Sequence, residues 1–263
     1  MESSGSVLIQ LGDLHIGADW VERDPLETLS ATVDAILRLS ARPGAVLALG
    51  DLAEHGSDVE YEAAFAELTR LGAPIYVAMG NHDDRERLRL CFGLEVADDA
   101  PLRYVTDIGP VRLVVLDTTV PGMEAGNLDG ESLTWLDCEL SDYPQTTTLL
   151  ALHHPPLLTG SAAFDRIALT ADSRCALARV LERHPQVRRI LGAHLHRPLL
   201  TEFASRPLLV APSTYVQFPL DLNAVKLVAG EEPPGFVMHS VNADGSLIST
   251  FQTAPDRRTG GSA

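Results

Sequence analysis

The chain has 263 residues, is 45% apolar and carries a formal charge of −16, so it can bury one full core without needing a second domain. That acidity excludes a protein that grips long nucleic acids, which would need clustered Lys and Arg that the sequence lacks. No apolar run approaches the roughly 18 residues of a spanning helix and no leader-like segment opens the chain, so a cytoplasmic location with no membrane partner is expected.

In chain order, Val7–Leu11 reads as a buried strand that runs into Gly12, Asp13 and His15. Asp24, Pro25 and Glu27 then open a helix by capping, and Leu26, Leu29, Val33 and Ile36 recur on one face. The unit repeats: strand Ala45–Leu49 ends at Gly50-Asp51, and Ser57 with Glu60 forms a capping box for a helix burying Tyr61, Ala64, Phe65 and Leu68. A third strand from Ile75 ends at Gly80-Asn81-His82-Asp83, before a charged helix from Asp84 to about Phe92. The first 92 residues therefore read as β-α-β-α-β-α.

Leu102–Asp107 and Val111–Leu116 read as a hairpin, 120–130 as a Gly-rich loop, and Glu131 to about Leu140 as a helix. A strand ending at Leu152 delivers His153-His154-Pro155-Pro156. After a loop, Thr170 caps a helix to about His184, and the run Arg189–Leu191 ends at Gly192-Ala193-His194-Leu195-His196. Later short runs read as antiparallel strands, with Asp244-Gly245 as a hairpin turn. The expected domain is 1–253, with 213–234 as a cap-like or interface segment compatible with a homodimer, and 254–263 as a disordered tail. Cys91, Cys138 and Cys175, without C-x-x-C spacing, read as reduced, mostly buried thiols.

Five strand ends thus carry Asp13/His15, Asp51, Asn81/His82, His153/His154 and His194/His196, and most of the nine histidines fall there. Parallel strands would bring them to one sheet edge, where so many imidazoles and carboxylates crowd together unless metal ions lie between them. The seven groups Asp13, His15, Asp51, Asn81, His153, His194 and His196 exceed one tetrahedral zinc. They suit two divalent ions roughly 3.5–4 Å apart with Asp51 between them, a pair that acidifies water and orients it for in-line attack on phosphorus. His82 is the spare group, placed to protonate a leaving oxygen or hold a phosphate oxygen.

Asp13-x-His15, Gly50-Asp51, Gly80-Asn-His-Asp83, His153-His-Pro-Pro156 and His194-x-His196 resemble the five signatures of the calcineurin-like metallophosphoesterases, over residues 7 to about 200. The run Asn81–Asp84 and the His-His-Pro-Pro motif most resemble class III cyclic-nucleotide phosphodiesterases and related glycerophosphodiesterases. The resemblance implies a four-layer α/β fold with mixed sheets flanked by helices. It implies one metal on Asp13, His15, Asp51 and His196, and the other on Asp51, Asn81, His153 and His194. Asp51, Asn81 and His82 would be catalytic, and Asn81, His82 and His154 would meet a small phosphodiester. Two positions depart from the family pattern: Ala193 stands where glycine is usual, and Glu54-His55-Gly56 where an acidic or amide residue usually precedes the glycine.

The metals would be Mn, Fe or Zn, since these ligand types accept each. Cyclic nucleotides (3′,5′ or 2′,3′) are the expected substrates, with a glycerophosphodiesterase or broad phosphoesterase as the alternative and a non-catalytic scaffold as the rival from another class. Asp83 and Asp117 read as residues that fix loops, His184 and His239 as structural, and His55 as a surface residue.

Overall fold

The computed structural model describes residues 6–95 and 100–255. Two sheets lie face to face between helices. The first has the order β11-β10-β1-β2-β3, from β1 (Ser6–Leu11), β2 (Ala45–Leu49), β3 (Ile75–Ala78), β10 (Gly235–Val241) and β11 (Leu247–Thr253). The second has the order β4-β5-β6-β7-β9-β8, from β4 (Tyr104–Ile108), β5 (Val111–Leu116), β6 (Thr148–Leu152), β7 (Val187–Gly192), β8 (Leu199–Phe203) and β9 (Arg206–Val210).

Period-two alternation builds three core layers from these strands, because successive side chains point to opposite faces. On β1 and β2, Leu8, Leu47 and Leu49 point inward to meet Leu113, Val115, Leu149 and Ala151 between the sheets. Their neighbours Ile9, Val46 and Ala48 point outward, onto Leu29 and Val33 of α1 (Pro25–Leu37), Tyr61 and Leu68 of α2 (Asp58–Thr69) and Leu88 of α3 (Arg85–Phe92). Val114, Leu116, Leu150 and Ile190 likewise face Leu136 and Leu140 of α4 (Gly130–Asp142) and Leu177 and Leu181 of a later helix, Ala171–Glu182. Strands buried on both faces read as unbroken apolar runs, which is why they were legible.

Capping fixes the helix starts. The Ser57–Glu60 box is present, whereas the Asp24 carboxylate accepts from Leu26 N alone. Several expectations need correction. The groups at strand ends come from two sheets, β1 to β3 and β6 to β7, whose carboxyl edges converge. The strand β9 runs parallel to β7, and β8, an edge strand joined to β9 through left-handed Ala204 and Ser205, had no glycine or asparagine to announce its turn. A short helix, α5 (Ala162–Asp165), interrupts the loop before α6 (Ala171–Glu182). Phe65 is half-exposed against Phe92, and Cys138 and Cys175 are exposed on the outer sides of surface helices, while Cys91 is half-buried against the first core layer. Of the expected tail, Ala254 is buried with its N–H on Pro234 O (2.7 Å), and 256–263 lie outside the described residues. No helix among the described residues is long and apolar enough to cross a membrane.

A polar chain crosses the inter-sheet layer. Gln10 Nε2 donates to Gly192 O (2.8 Å), and Gln10 Oε1 meets His239 Nε2 (2.9 Å), whose Nδ1 meets Ser249 Oγ. Burial, with the Arg189 cation nearby, pushes His239 down to about 3. The unfolded chain therefore takes up a proton below pH ~6.5 that the native ring refuses until about pH 3, so stability falls as pH drops through that window. Urea unfolding between pH 4 and 7 should show a shallower acid slope in His239→Gln than in the parent, by up to ~1.4 kcal/mol per pH unit. Equal slopes would mean the ring titrates normally.

Candidate metal centre

Three of the site loops begin where a parallel strand stops and the backbone turns left-handed. Asp13 (φ 53°), His15 (48°), Asp51 (50°), His194 (70°) and His196 (45°) all adopt this conformation without being glycine. Each such residue costs on the order of 1–3 kcal/mol and persists only where its surroundings over-determine it. Here Asp13 N and His15 N donate to Gly50 O (3.3 Å) and Asp51 O (2.8 Å), and His194 N donates to Asp13 Oδ1 (2.9 Å). Two glycines let the loops touch: a Cβ on Gly80 would lie 2.1 Å from Asp51 N, and one on Gly50 2.5 Å from His153 Nδ1. At the departure Ala193, the methyl packs against Gly12, where an added Cβ would come within 3.0 Å.

All seven expected ligands are brought to one cluster. His15 Nε2 lies 3.0 Å from His196 Nε2 and 3.6 Å from Asp51 Oδ2. His153 Nε2 lies 3.3 Å from Asp51 Oδ2, 3.2 Å from Asn81 Oδ1 and 3.2 Å from His194 Nδ1. Asp13 Oδ1 is 3.9 Å from His196 Nε2 and 4.0 Å from His153 Nδ1. Asp51 stands between the two histidine groups, and its Oδ1 also accepts from His82 N (2.8 Å).

The outer nitrogens decide what the inner ones can do. His15 Nδ1 is held by Glu54 Oε2 (2.7 Å), His153 Nδ1 by Leu49 O (2.8 Å), His194 Nε2 by Ile167 O (3.0 Å) and His196 Nδ1 by Val216 O (3.0 Å). An oxygen acceptor on one ring nitrogen requires the proton there, which leaves a lone pair on the other in the neutral ring. The inner nitrogens therefore face one another as acceptors at 3.0–3.2 Å with carboxylate oxygens beside them. Such a donor-poor centre fits cations, and four overlapping His/Asp groups have ligand atoms within 4.8 Å of one another.

Titration without cations points the same way. Burial raises Asp13 to about 8. Burial also pushes Asp51 up, but the charge and hydrogen bond of His153 hold it well below the ordinary carboxylate range. Burial opposes the charged form of His153, yet the Asp51 carboxylate outweighs it and raises the ring to about 9. Burial drives His15, His194 and His196 down, His194 to about 3. A shared proton thus takes the place of positive charge that the ligands are built to surround.

His82 lies at the mouth, 31% exposed, with Nδ1 3.2 Å from Glu54 O. His154 departs from its expected substrate contact: it is fully buried, with Nδ1 on Thr118 Oγ1 (2.7 Å) and Nε2 on Glu124 O (3.0 Å), so neither ring nitrogen is left for a ligand. Its ring packs 4.3 Å from that of His194. Asp83 ties the loops, accepting from Leu52 N, Ala53 N and Gly80 N, while Asp117 pairs with Arg85 and accepts from Leu102 N. His55 is exposed and bonded to Glu60, and His184 is bonded to Asp137.

Cleft residues that escaped the sequence reading include Trp20, Glu54, Arg166, Phe218 and Lys226, which line a cleft of about 300 Å³ with Asp51, Asn81 and His82. Trp20 and Phe218 form a wall with ring planes 24° apart. Lys226 is the only lysine in the chain, a countable signal, and the neighbouring Val225 O receives Arg166 Nη1 (3.5 Å).

Relatives share much of this sequence. A probable cyclic nucleotide phosphodiesterase of Rhodococcus erythropolis is 36% identical over 228 residues, 82% of this chain and 72% of that protein. A glycerophosphodiester phosphodiesterase, GpdQ, of Enterobacter lignolyticus is 34% identical over 76% of this chain and 73% of its own length. In fold, the chain is similar to the purple acid phosphatase PPD1 of yellow lupin, with a TM-score of 0.65 at 14% identity, covering 96% of this chain and 52% of that one. The sequence pattern described as calcineurin-like phosphoesterase matches residues 7–198, and with these relatives it shows that the chain belongs to the calcineurin-like phosphoesterase family.

Proposed function

We propose that the chain is a dinuclear-metal phosphodiesterase acting on small soluble diesters, with cyclic nucleotides as its substrate class. The observation that carries this reading is the set of four imidazoles anchored from behind, whose free nitrogens converge around Asp51. Asp13, His15, Asp51 and His196 would hold one divalent ion, and Asp51, Asn81, His153 and His194 the other, with Mn, Fe or Zn all compatible with these donors. When bound, such a pair supplies Lewis acidity towards a phosphoryl oxygen and lowers the pKa of water.

The chain's own groups do the rest. Asn81 contributes a neutral oxygen, so it completes its ligand set without cancelling charge needed for a phosphate. His82 lines the cleft with Nδ1 on Glu54 O, and in its doubly protonated form it hands the proton of its other ring nitrogen to the departing oxygen, leaving the neutral ring. His154 acts as a positioning residue: bonded to Thr118 and Glu124 O, it fixes the ring face on which His194 rests.

The Trp20–Phe218 wall favours a nucleobase over glycerol, since stacking a base on an aromatic ring contributes ~1–3 kcal/mol. Arg166 and Lys226 offset the acidic surroundings of the cleft for an anionic substrate. The name of the Enterobacter lignolyticus relative supports glycerophosphodiesters as the second reading. A panel of cyclic nucleotides, glycerophosphodiesters and phosphomonoesters separates them. Trp20→Ala should lower kcat/KM for a cyclic nucleotide by about tenfold relative to its effect on a glycerophosphodiester. Equal losses on both would remove the base-stacking argument, and turnover of monoesters alone would overturn the diesterase reading.

A further inference from the structure

A second cavity, of about 870 Å³, opens at the opposite end of the sheets from the metal centre. Arg188 and Arg189 enter it from the start of β7 and Arg206 from the start of β9, roughly 15–20 Å along β7 from His194 at the usual rise of ~3.3 Å per residue. The chain has 36 acidic residues against 20 Lys and Arg. Of the arginines elsewhere, Arg70, Arg85, Arg103, Arg112, Arg183 and Arg197 form ion pairs, whereas Arg166 and Arg174 reach carbonyl oxygens. Among the described residues, none of the three cavity arginines forms an ion pair.

Their partial contacts make this more pointed. Arg189 reaches only Ser249 Oγ and Leu247 O (3.3 Å), and Arg206 reaches only the carbonyls of Ala204, Leu181 and His184. The Nε of each is buried and has no acceptor. Burial pulls both guanidinium groups below their usual range, for Arg189 with no carboxylate opposing it and for Arg206 against a weaker pull from Glu182. Asp244, the one carboxylate on the cavity wall, is turned into its own hairpin, where it accepts from Ser246 N (2.9 Å). Three guanidinium groups thus line one cavity of an acidic protein, two of them partly desolvated and held only by neutral oxygens, so their charge there is open to an anion.

We propose that this cavity is a second anion site, separate from the metal centre, which takes a phosphorylated molecule of nucleotide size. Guanidinium forks match phosphate oxygens, and three of them suit a ligand with at least two negative charges. The volume lies in the ordinary range for small-molecule sites, and Pro185, Pro207 and Leu247 supply apolar wall for a ring.

The test is calorimetric titration of the full-length chain with ADP. The Asp51→Asn variant removes anion binding that depends on the metal centre, and it should still bind about one equivalent of ADP. In that background, Arg188→Ala and Arg189→Gln should each weaken binding at least tenfold. Arg188 is exposed and bonded to no described side chain, so its removal does not endanger the fold. Arg188→Ala alone should leave diester turnover unchanged. Loss of ADP binding in Asp51→Asn, or ADP affinity indifferent to Arg188→Ala, would overturn the proposal.

Discussion

Asp51→Asn should lower hydrolysis of an aryl phosphodiester by about a thousandfold or more, equivalent to ~4 kcal/mol of barrier, and should cut bound metal from two equivalents to one or fewer. The substitution is nearly isosteric, and asparagine tolerates the left-handed backbone that Asp51 adopts (φ 50°). The amide oxygen can still accept from His82 N, as Asp51 Oδ1 does, so the loop stays in place. What disappears is the negative charge at 3.3 Å from His153 Nε2 and 3.6 Å from His15 Nε2, closer to the inner nitrogens of both histidine sets than Asp13 comes. Loss of metal and rate with an unchanged circular dichroism spectrum would locate the effect in the centre. Retention of both metals and full turnover would show that Asp51 does not join them.

His82→Ala should behave in the opposite way with respect to metal. Two equivalents should remain, while kcat falls by about 10²–10⁴-fold with little change in KM. His15, Asp51 and His82 have ligand atoms close enough to share one ion, so this is a real choice between roles. His82 is the one of the three open to solvent, and its backbone N–H, which survives the substitution, already supports Asp51. If the ring protonates the leaving oxygen, the deficit should be larger for an alkyl diester than for a nitrophenyl diester, whose leaving group needs no proton. Loss of one metal in His82→Ala, or equal deficits on the two esters, would assign the ring to metal holding instead.

The chemistry was legible because it sits where strong local patterns stop. Apolar runs such as Ala45–Leu49 are buried on both faces, and after the first three runs a glycine is followed at once by ligands, at Gly12-Asp13, Gly50-Asp51 and Gly80-Asn81. What the patterns could not carry was long-range placement. Leu47 and Leu149 belong to different sheets that meet through the inner core layer, and nothing local to either strand says so. Glu54 looked like an oddity beside His55 and Gly56, yet its carboxylate orients His15, a role that depends on where an i+39 neighbour folds. His154 was expected to meet the substrate beside the metal ligand His153, but one residue along an extended chain reverses the side-chain direction, and it turns towards Thr118 and Glu124 O. Trp20, Phe218 and Lys226 come from irregular segments, where residue type gives no hint of direction.

The most direct test of the dinuclear phosphodiesterase assignment is metal content and diester hydrolysis measured on one sample as purified, after chelation, and after return of Mn²⁺. The assignment predicts two equivalents per chain when active, hydrolysis lost on chelation, and recovery that tracks refilling of the centre. Undiminished hydrolysis in metal-depleted protein, or a chain refilled to two equivalents that cleaves no diester, would contradict it.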